Sequence, residues 1–208
     1  MNKLHYIVFL FISLTSCKKD LYFQIEGQVF DGSLNTVLNA ADIQIVQVNN
    51  DGSVNNTAVY NTITDNNGKF SLNIKREKAI KYLINISKDN YFDEEKSINF
   101  SDLSTETPNI VLYQLFAKSW IKFRINNVFP ANSSDVFTLN FNDKLTVCNE
   151  CCIDSKYYYN GNIHDSLICL FKGNQSYFFN YIVSSPFEQK DIEIKTISFD
   201  TVTYDFNY

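Results

Sequence analysis

Histidine is nearly missing from this 208-residue chain, with His5 and His164 its two occurrences. His5 falls in an apolar N-terminal segment, so any Ser-His-Asp or Cys-His machinery must pass through His164 alone. His164 precedes Asp165-Ser166 at an expected turn into a strand, where a solvated loop histidine is the plainer reading. Catalytic motifs are missing as well. No His-Glu-x-x-His, Gly-x-Ser-x-Gly or phosphate-binding loop occurs, which removes the common zinc peptidase, hydrolase and nucleotide-handling chemistries. Helical periodicity of useful length is absent, leaving strands as the building element. Basic residues are outnumbered, 18 against 23 acidic, so nucleic acid is not an expected partner. Beyond the N-terminus no segment is apolar enough to anchor the chain in a bilayer.

What is present begins with that N-terminus. Lys3 is followed by an apolar run from Tyr6 to Leu14 and then by Leu14-Thr15-Ser16-Cys17. The run is far short of the roughly 20 residues a spanning helix needs, and it fits the apolar core of a signal peptide. The whole arrangement resembles a bacterial lipoprotein signal peptide with its lipobox. The resemblance implies removal of residues 1–16, acylation of Cys17 (palmitate among its chains) and a membrane partner reached through that anchor. Removal leaves 17 basic against 23 acidic side chains, a net charge of about −6. Several acyl chains, at about 0.8 kcal/mol per buried methylene, make such attachment effectively permanent. Lys18-Lys19-Asp20 partly matches a surface-export signal of some Gram-negative lipoproteins but lacks a second acid. The expected location is the cell envelope at the outer membrane, with surface exposure compatible, and residues 17–21 form a short tether.

An apolar content of 45% and an aromatic content of 15% are enough for real cores, and a mature length near 190 residues favours two small domains. Strand signals with period-2 alternation recur from residue 22 onward, as in Phe23–Val29, Phe70–Ile74 and Tyr82–Ile86. Turn chemistry such as Asn50-Asp51-Gly52 and Asp65-Asn66-Asn67-Gly68 separates them. The expected fold is therefore all-β: two consecutive antiparallel β-sandwich domains, residues 22–115 and 117–208. Roughly seven strands fit residues 21–115. In the second domain strands are expected at Trp120–Ile125, Val136–Phe141, Ser166–Phe171, Tyr177–Val183, Ile192–Phe199 and Val202–Phe206. No convincing internal repeat relates the two.

Four landmarks in order carry a further resemblance: Gly27-Gln28-Val29-Phe30-Asp31, Leu38–Ile43, Thr64–Phe70 and Lys88-Asp89-Asn90-Tyr91. They resemble carboxypeptidase regulatory-like domains, which are transthyretin-like seven-stranded sandwiches. In that family the last landmark usually reads Gly-Tyr; Asn90 replaces the glycine, and Asn tolerates the left-handed backbone that position needs. The resemblance implies a folding or interaction module, not a catalytic one. It adds no ligand residues.

Four cysteines follow Cys17, namely Cys148, Cys151, Cys152 and Cys169. In an oxidising envelope disulfides are the expected use. Joining neighbours Cys151 and Cys152 would close a strained eight-membered ring, so Cys148 or Cys169 should be partnered with that doublet, either assignment being open. A thiolate and imidazole metal site from these residues and His164 is the lesser reading, because free thiolates oxidise there. No cofactor is indicated. Tyr157-Tyr158-Tyr159 offers faces for stacking on a glycan or an envelope protein, unless alternate tyrosines pack inward and the middle one covers an edge. Asp93-Glu94-Glu95, beside Lys96, is a solvated charge run. Asp165-Ser166-Leu167 and Asp200-Thr201-Val202 resemble a short O-glycosylation sequon and would mark exposed positions. These features point to a non-enzymatic lipoprotein used for binding or assembly, with carbohydrate binding as the alternative.

Overall fold

In the computed structural model, which describes residues 20–54, 58–128, 134–142, 151–152 and 154–208, the alternation of apolar and polar residues becomes strand after strand. The first eight are β1 (Tyr22–Asp31), β2 (Thr36–Val37), β3 (Asp42–Val48), β4 (Val59–Ile63), β5 (Lys69–Lys75), β6 (Lys81–Ser87), β7 (Glu94–Asn99) and β8 (Asn109–Leu115). Seven more follow: β9 (Lys118–Asn126), β10 (Val136–Phe141), β11 (Lys156–Asn160), β12 (His164–Lys172), β13 (Ser176–Ser184), β14 (Phe187–Lys195) and β15 (Thr201–Asn207). The physical cause is plain in β9, where Ile121, Phe123 and Ile125 are fully buried while the intervening Lys122 and Arg124 face outward. Such alternation is stable only with one sheet face on a core and the other toward water.

The buried residues form two separate clusters. Phe23, Ile25, Ile45, Ile74, Tyr82 and Ile84 belong to the first, Phe123, Phe137, Phe141, Phe179 and Phe206 to the second. The second is mainly aromatic. Phe123 lies with its centroid 5.6 Å from Phe141 and 5.1 Å from Phe179, both edge-to-face. Each such pair contributes about 0.5–1.5 kcal/mol beyond its buried area.

Each cluster lies between two sheets, so the chain is an all-β protein of two sandwiches. In the first, β1 pairs antiparallel with β5 and β2 and parallel with β8, opposite the sheet β4-β3-β6-β7. In the second, β12-β9-β15 lies opposite β11-β10-β13-β14. Apart from β2, which has no counterpart among the described residues, the two arrangements are the same: β9, β10, β11, β12, β13, β14 and β15 take the places of β1, β3, β4, β5, β6, β7 and β8. A repeat that is silent in sequence is thus present in topology. One expectation is amended here. The sandwiches are antiparallel except that each closes with a parallel pair, β1 with β8 and β9 with β15.

Two local expectations can be read directly. Gly68 has φ 70° in the tight turn before β5, where an added Cβ would lie 2.6 Å from the Val29 carbonyl oxygen. Asn90 has φ 64°, the left-handed conformation anticipated for it. At the other end of the chain the strand expected over Ile192–Phe199 stops at Lys195, which pairs with Ser176, the first residue of β13, and Phe199 at φ 66° turns the chain ahead of β15.

Candidate functional site

The tyrosine run is not a loop; Lys156–Asn160 is β11, an edge strand paired to β10. Period-2 geometry therefore divides the three rings between two faces. Tyr157 and Tyr159 turn inward against the second core, and desolvation raises both phenols, Tyr159 up to about 12 with help from the Asp165 and Tyr157 charges. Tyr158 turns outward with 61% of its surface exposed. The expected three-tyrosine surface contracts to one ring.

Cys152 forms a disulfide with Cys169, their Cα atoms 5.2 Å apart. Cys169 is fully buried on β12, in one sheet, and Cys152 lies just before β11, in the other, so the bond ties the two sheets across the core. Cys151 is also disulfide-bonded. Cys148 lies outside the described residues, as does Cys17. Among the described residues no group of three or more His, Cys, Asp and Glu side chains is arranged to hold a metal.

His164 opens β12 on an exposed face shared with Lys122, Arg124 and Asn126. Its Nδ1 lies 3.4 Å from the Asn126 side-chain oxygen. The neighbouring Asp205 is engaged by Arg124 through two contacts, 2.7 Å and 3.0 Å. Glu94 and Glu95 lie in β7, with Glu94 paired to Lys96.

A dense set of polar contacts also forms at the junction between the sandwiches, from residues most of which no sequence motif singled out. The linker Phe116-Ala117-Lys118 carries almost no slack, since its backbone is bonded on both sides. Phe92 N–H donates to the Phe116 carbonyl at 2.9 Å, and Lys118 N–H donates to the Asn90 carbonyl at 2.8 Å. From the second sandwich, Gly173 N–H donates to the Ala117 carbonyl and Phe199 N–H to the Lys118 carbonyl, both at 2.8 Å. Ala117 N–H donates to Ser33 Oγ at 3.0 Å, while Asn174 Nδ2 donates to the Ser33 carbonyl at 3.0 Å. Gly173 is required by close approach: a Cβ there would lie 2.6 Å from the Ser198 Cα.

Beneath this linker sits Asp31, 1% exposed. One carboxylate oxygen accepts the Ser33 and Leu34 N–H groups at 2.8 Å and 2.9 Å, and the other accepts the Tyr91 hydroxyl at 2.6 Å. Burial first, then the hydrogen bond and charge of Asp31, push the Tyr91 phenol strongly upward. The Tyr91 ring in turn meets Phe199 of the second sandwich edge-on at 5.3 Å. Lys172 places its ammonium 4.0 Å over the Phe116 ring. A buried charge with three donors is a demanding arrangement, retained only where its geometry is fixed. The two sandwiches are therefore joined as one body at this point and not strung on a flexible thread.

The chain matches no protein-family model, and no curated protein matches it in sequence. Among solved structures it is similar to the GBS52 minor pilin of Streptococcus agalactiae, at 14% identity and a TM-score of 0.39, over 89% of this chain and 94% of that one. The SpaA shaft pilin of Lactobacillus rhamnosus GG gives 9% identity and a TM-score of 0.34 over 91% and 97%. The TIE protein of Bacillus anthracis gives 14% identity and a TM-score of 0.38; 90% of this chain is covered, but it spans only 34% of that protein's length. At such scores none of these likenesses carries an argument about function.

Proposed function

We propose that this chain is a non-enzymatic lipoprotein of the cell envelope, anchored through acylated Cys17, whose two sandwiches form one stiff arm for binding or assembly at the outer membrane. The observation that carries the reading is the junction, where the Asp31-held Tyr91 ring of the first sandwich meets Phe199 of the second and the linker backbone is hydrogen-bonded to both. An enzyme has no evident use for such an arm, whereas a module that must present a surface at a set distance does. The Cys17 motif supports the anchoring, and five residues from Cys17 to Tyr22 reach at most about 18 Å, which holds the first sandwich near the bilayer. The ordered landmarks in residues 22–115 support a carboxypeptidase regulatory-like module in the first position.

Metabolic labelling with palmitate, combined with a photo-crosslinker at Leu112 on the exposed edge strand β8, tests the reading. Label in the membrane fraction, lost with Cys17→Ser, together with a discrete crosslinked neighbour is the expected result. Unacylated protein in the soluble periplasm would overturn the anchoring. The absence of any crosslinked neighbour from Leu112 and from Tyr158 would overturn the binding role.

A further inference from the structure

On the outer face of β11-β10-β13-β14 the register sets two rows of side chains next to each other. One runs Tyr158, Thr138, Ile182 and Gln189; the other runs Lys156, Asn140, Asn180 and Asp191. The second row is polarised. Asn140 Nδ2 donates to Asn180 Oδ1 at 3.2 Å, and Asn180 Nδ2 donates to Asp191 Oδ1 at 2.8 Å. Because both amides point their donors the same way, the Asn140 oxygen, which is buried, is left with no donor among the described residues. Tyr158 stands diagonally from Asn140, roughly 7–8 Å away at standard sheet spacing.

The first sandwich carries a counterpart at the topologically equivalent place. Across β4-β3-β6-β7 the register aligns Asn61, Gln44, Asn85 and Glu95, with Gln44 Nε2 donating to Asn61 Oδ1 at 3.3 Å. Here too side-chain amides cross the sheet and end on a carboxylate of the last strand, beside a shallow hollow of about 620 Å³. The row beside it is Val59, Val46, Leu83 and Ser97, with no aromatic ring. Both sheets therefore align side-chain amides across their strands, bonded through to a carboxylate in the second, and only the second sets a tyrosine ring beside them.

A pyranose has complementary surfaces: an apolar C–H face that stacks on an aromatic ring, and a rim of hydroxyls that both donate and accept. Side-chain amides answer the rim in both senses, and a carboxylate takes two hydroxyl donors. Asp191 also disfavours an acidic sugar. We propose that this face of the second sandwich binds a neutral glycan chain, Tyr158 supplying the stacking platform, Asn180 and Asp191 reading the hydroxyls, and Asn140 holding the Asn180 amide in place. The inference rests on the binding-arm reading above and gives it a ligand class.

Native gel electrophoresis of the full mature chain in detergent, through gels containing soluble β-glucan, mannan, xylan or dextran, tests it. Retardation by at least one polysaccharide is expected, weakened about tenfold or more by Tyr158→Ala and by Asn180→Ala, kept by Tyr158→Phe, and unchanged by Tyr22→Ala on the first sandwich. The Phe variant separates stacking from folding. No retardation by any of the four polysaccharides overturns the glycan site, as does retardation that survives Tyr158→Ala. A protein neighbour captured in cells from Leu112 without such retardation leaves the arm standing and removes the glycan.

Discussion

Replacing Tyr91 by Phe removes a single hydroxyl from the junction while keeping the ring against Phe199. The Asp31 carboxylate then loses one of three donors, the one at 2.6 Å, in a position only 1% exposed where water does not replace it. A hydrogen bond to a charged group is worth about 1.5–3 kcal/mol, and at 2–4 °C per kcal/mol for a protein of this size, 2 kcal/mol lowers Tm by roughly 4–8 °C. The informative comparison is Tyr60→Phe, which removes the acceptor for the Lys75 N–H at 3.0 Å inside the first sandwich, a neutral bond worth about 1 kcal/mol. Differential scanning calorimetry of the full chain should show one cooperative endotherm for the parent and for Tyr60→Phe. Tyr91→Phe should lower and split it, because the lost bond, inside the first sandwich, is what positions the Tyr91 ring that meets Phe199 of the second. An endotherm that stays single and shifts no more than that of Tyr60→Phe would refute the claim that Asp31 and Tyr91 hold the arm together.

The disulfide and the buried tyrosines give two further tests. Cys152→Ala with Cys169→Ala opens a closure spanning 17 residues and should cost about 3 kcal/mol in urea titration, whereas a loss below about 1 kcal/mol would mean the sheets do not need the tie. Burial pushes the phenols of Tyr113 and Tyr159 up to about 12, against an ordinary value near 10 in the unfolded chain. The unfolded state thus releases these protons first, so stability is level below pH 10 and falls as pH rises from 10 toward 12. Urea midpoints at pH 8, 10 and 11 check this, and Tyr113→Phe should make the fall shallower; an equally steep fall in that variant contradicts it.

Strands with clean alternation were the most legible part of the sequence. Val136–Phe141 is β10 to the residue, and Trp120–Ile125 lies inside β9, because a buried face and a wet face write period 2 directly. The tyrosine run hid its strand for the opposite reason. Three identical side chains have no polarity contrast, so only the pairing with β10 reveals that Tyr158 faces outward and its neighbours inward. Parallel closure was not legible at all, since β1 and β8 meet across more than 80 residues and local pattern carries no pairing partner. The same holds for the amide row of the second sandwich, which draws on four strands, and for Asp31, whose partner Tyr91 is remote in sequence. What was read of cysteine chemistry needed only bond geometry, and the doublet does pair outward to Cys169.

The parallel pairs have a mechanical consequence. In each sandwich the first and last strands run side by side in the same direction, from Ile25 beside Asn109 to Asp31 beside Leu115, and from Trp120 beside Thr201 to Asn126 beside Asn207. A pull applied between the two ends of a sandwich drags these strands past one another lengthwise. All the hydrogen bonds of the pair then bear the load together, instead of opening one after another as a peeled hairpin would. With the junction transmitting load from one sandwich to the next, the two sandwiches together are built to resist traction along the strand direction.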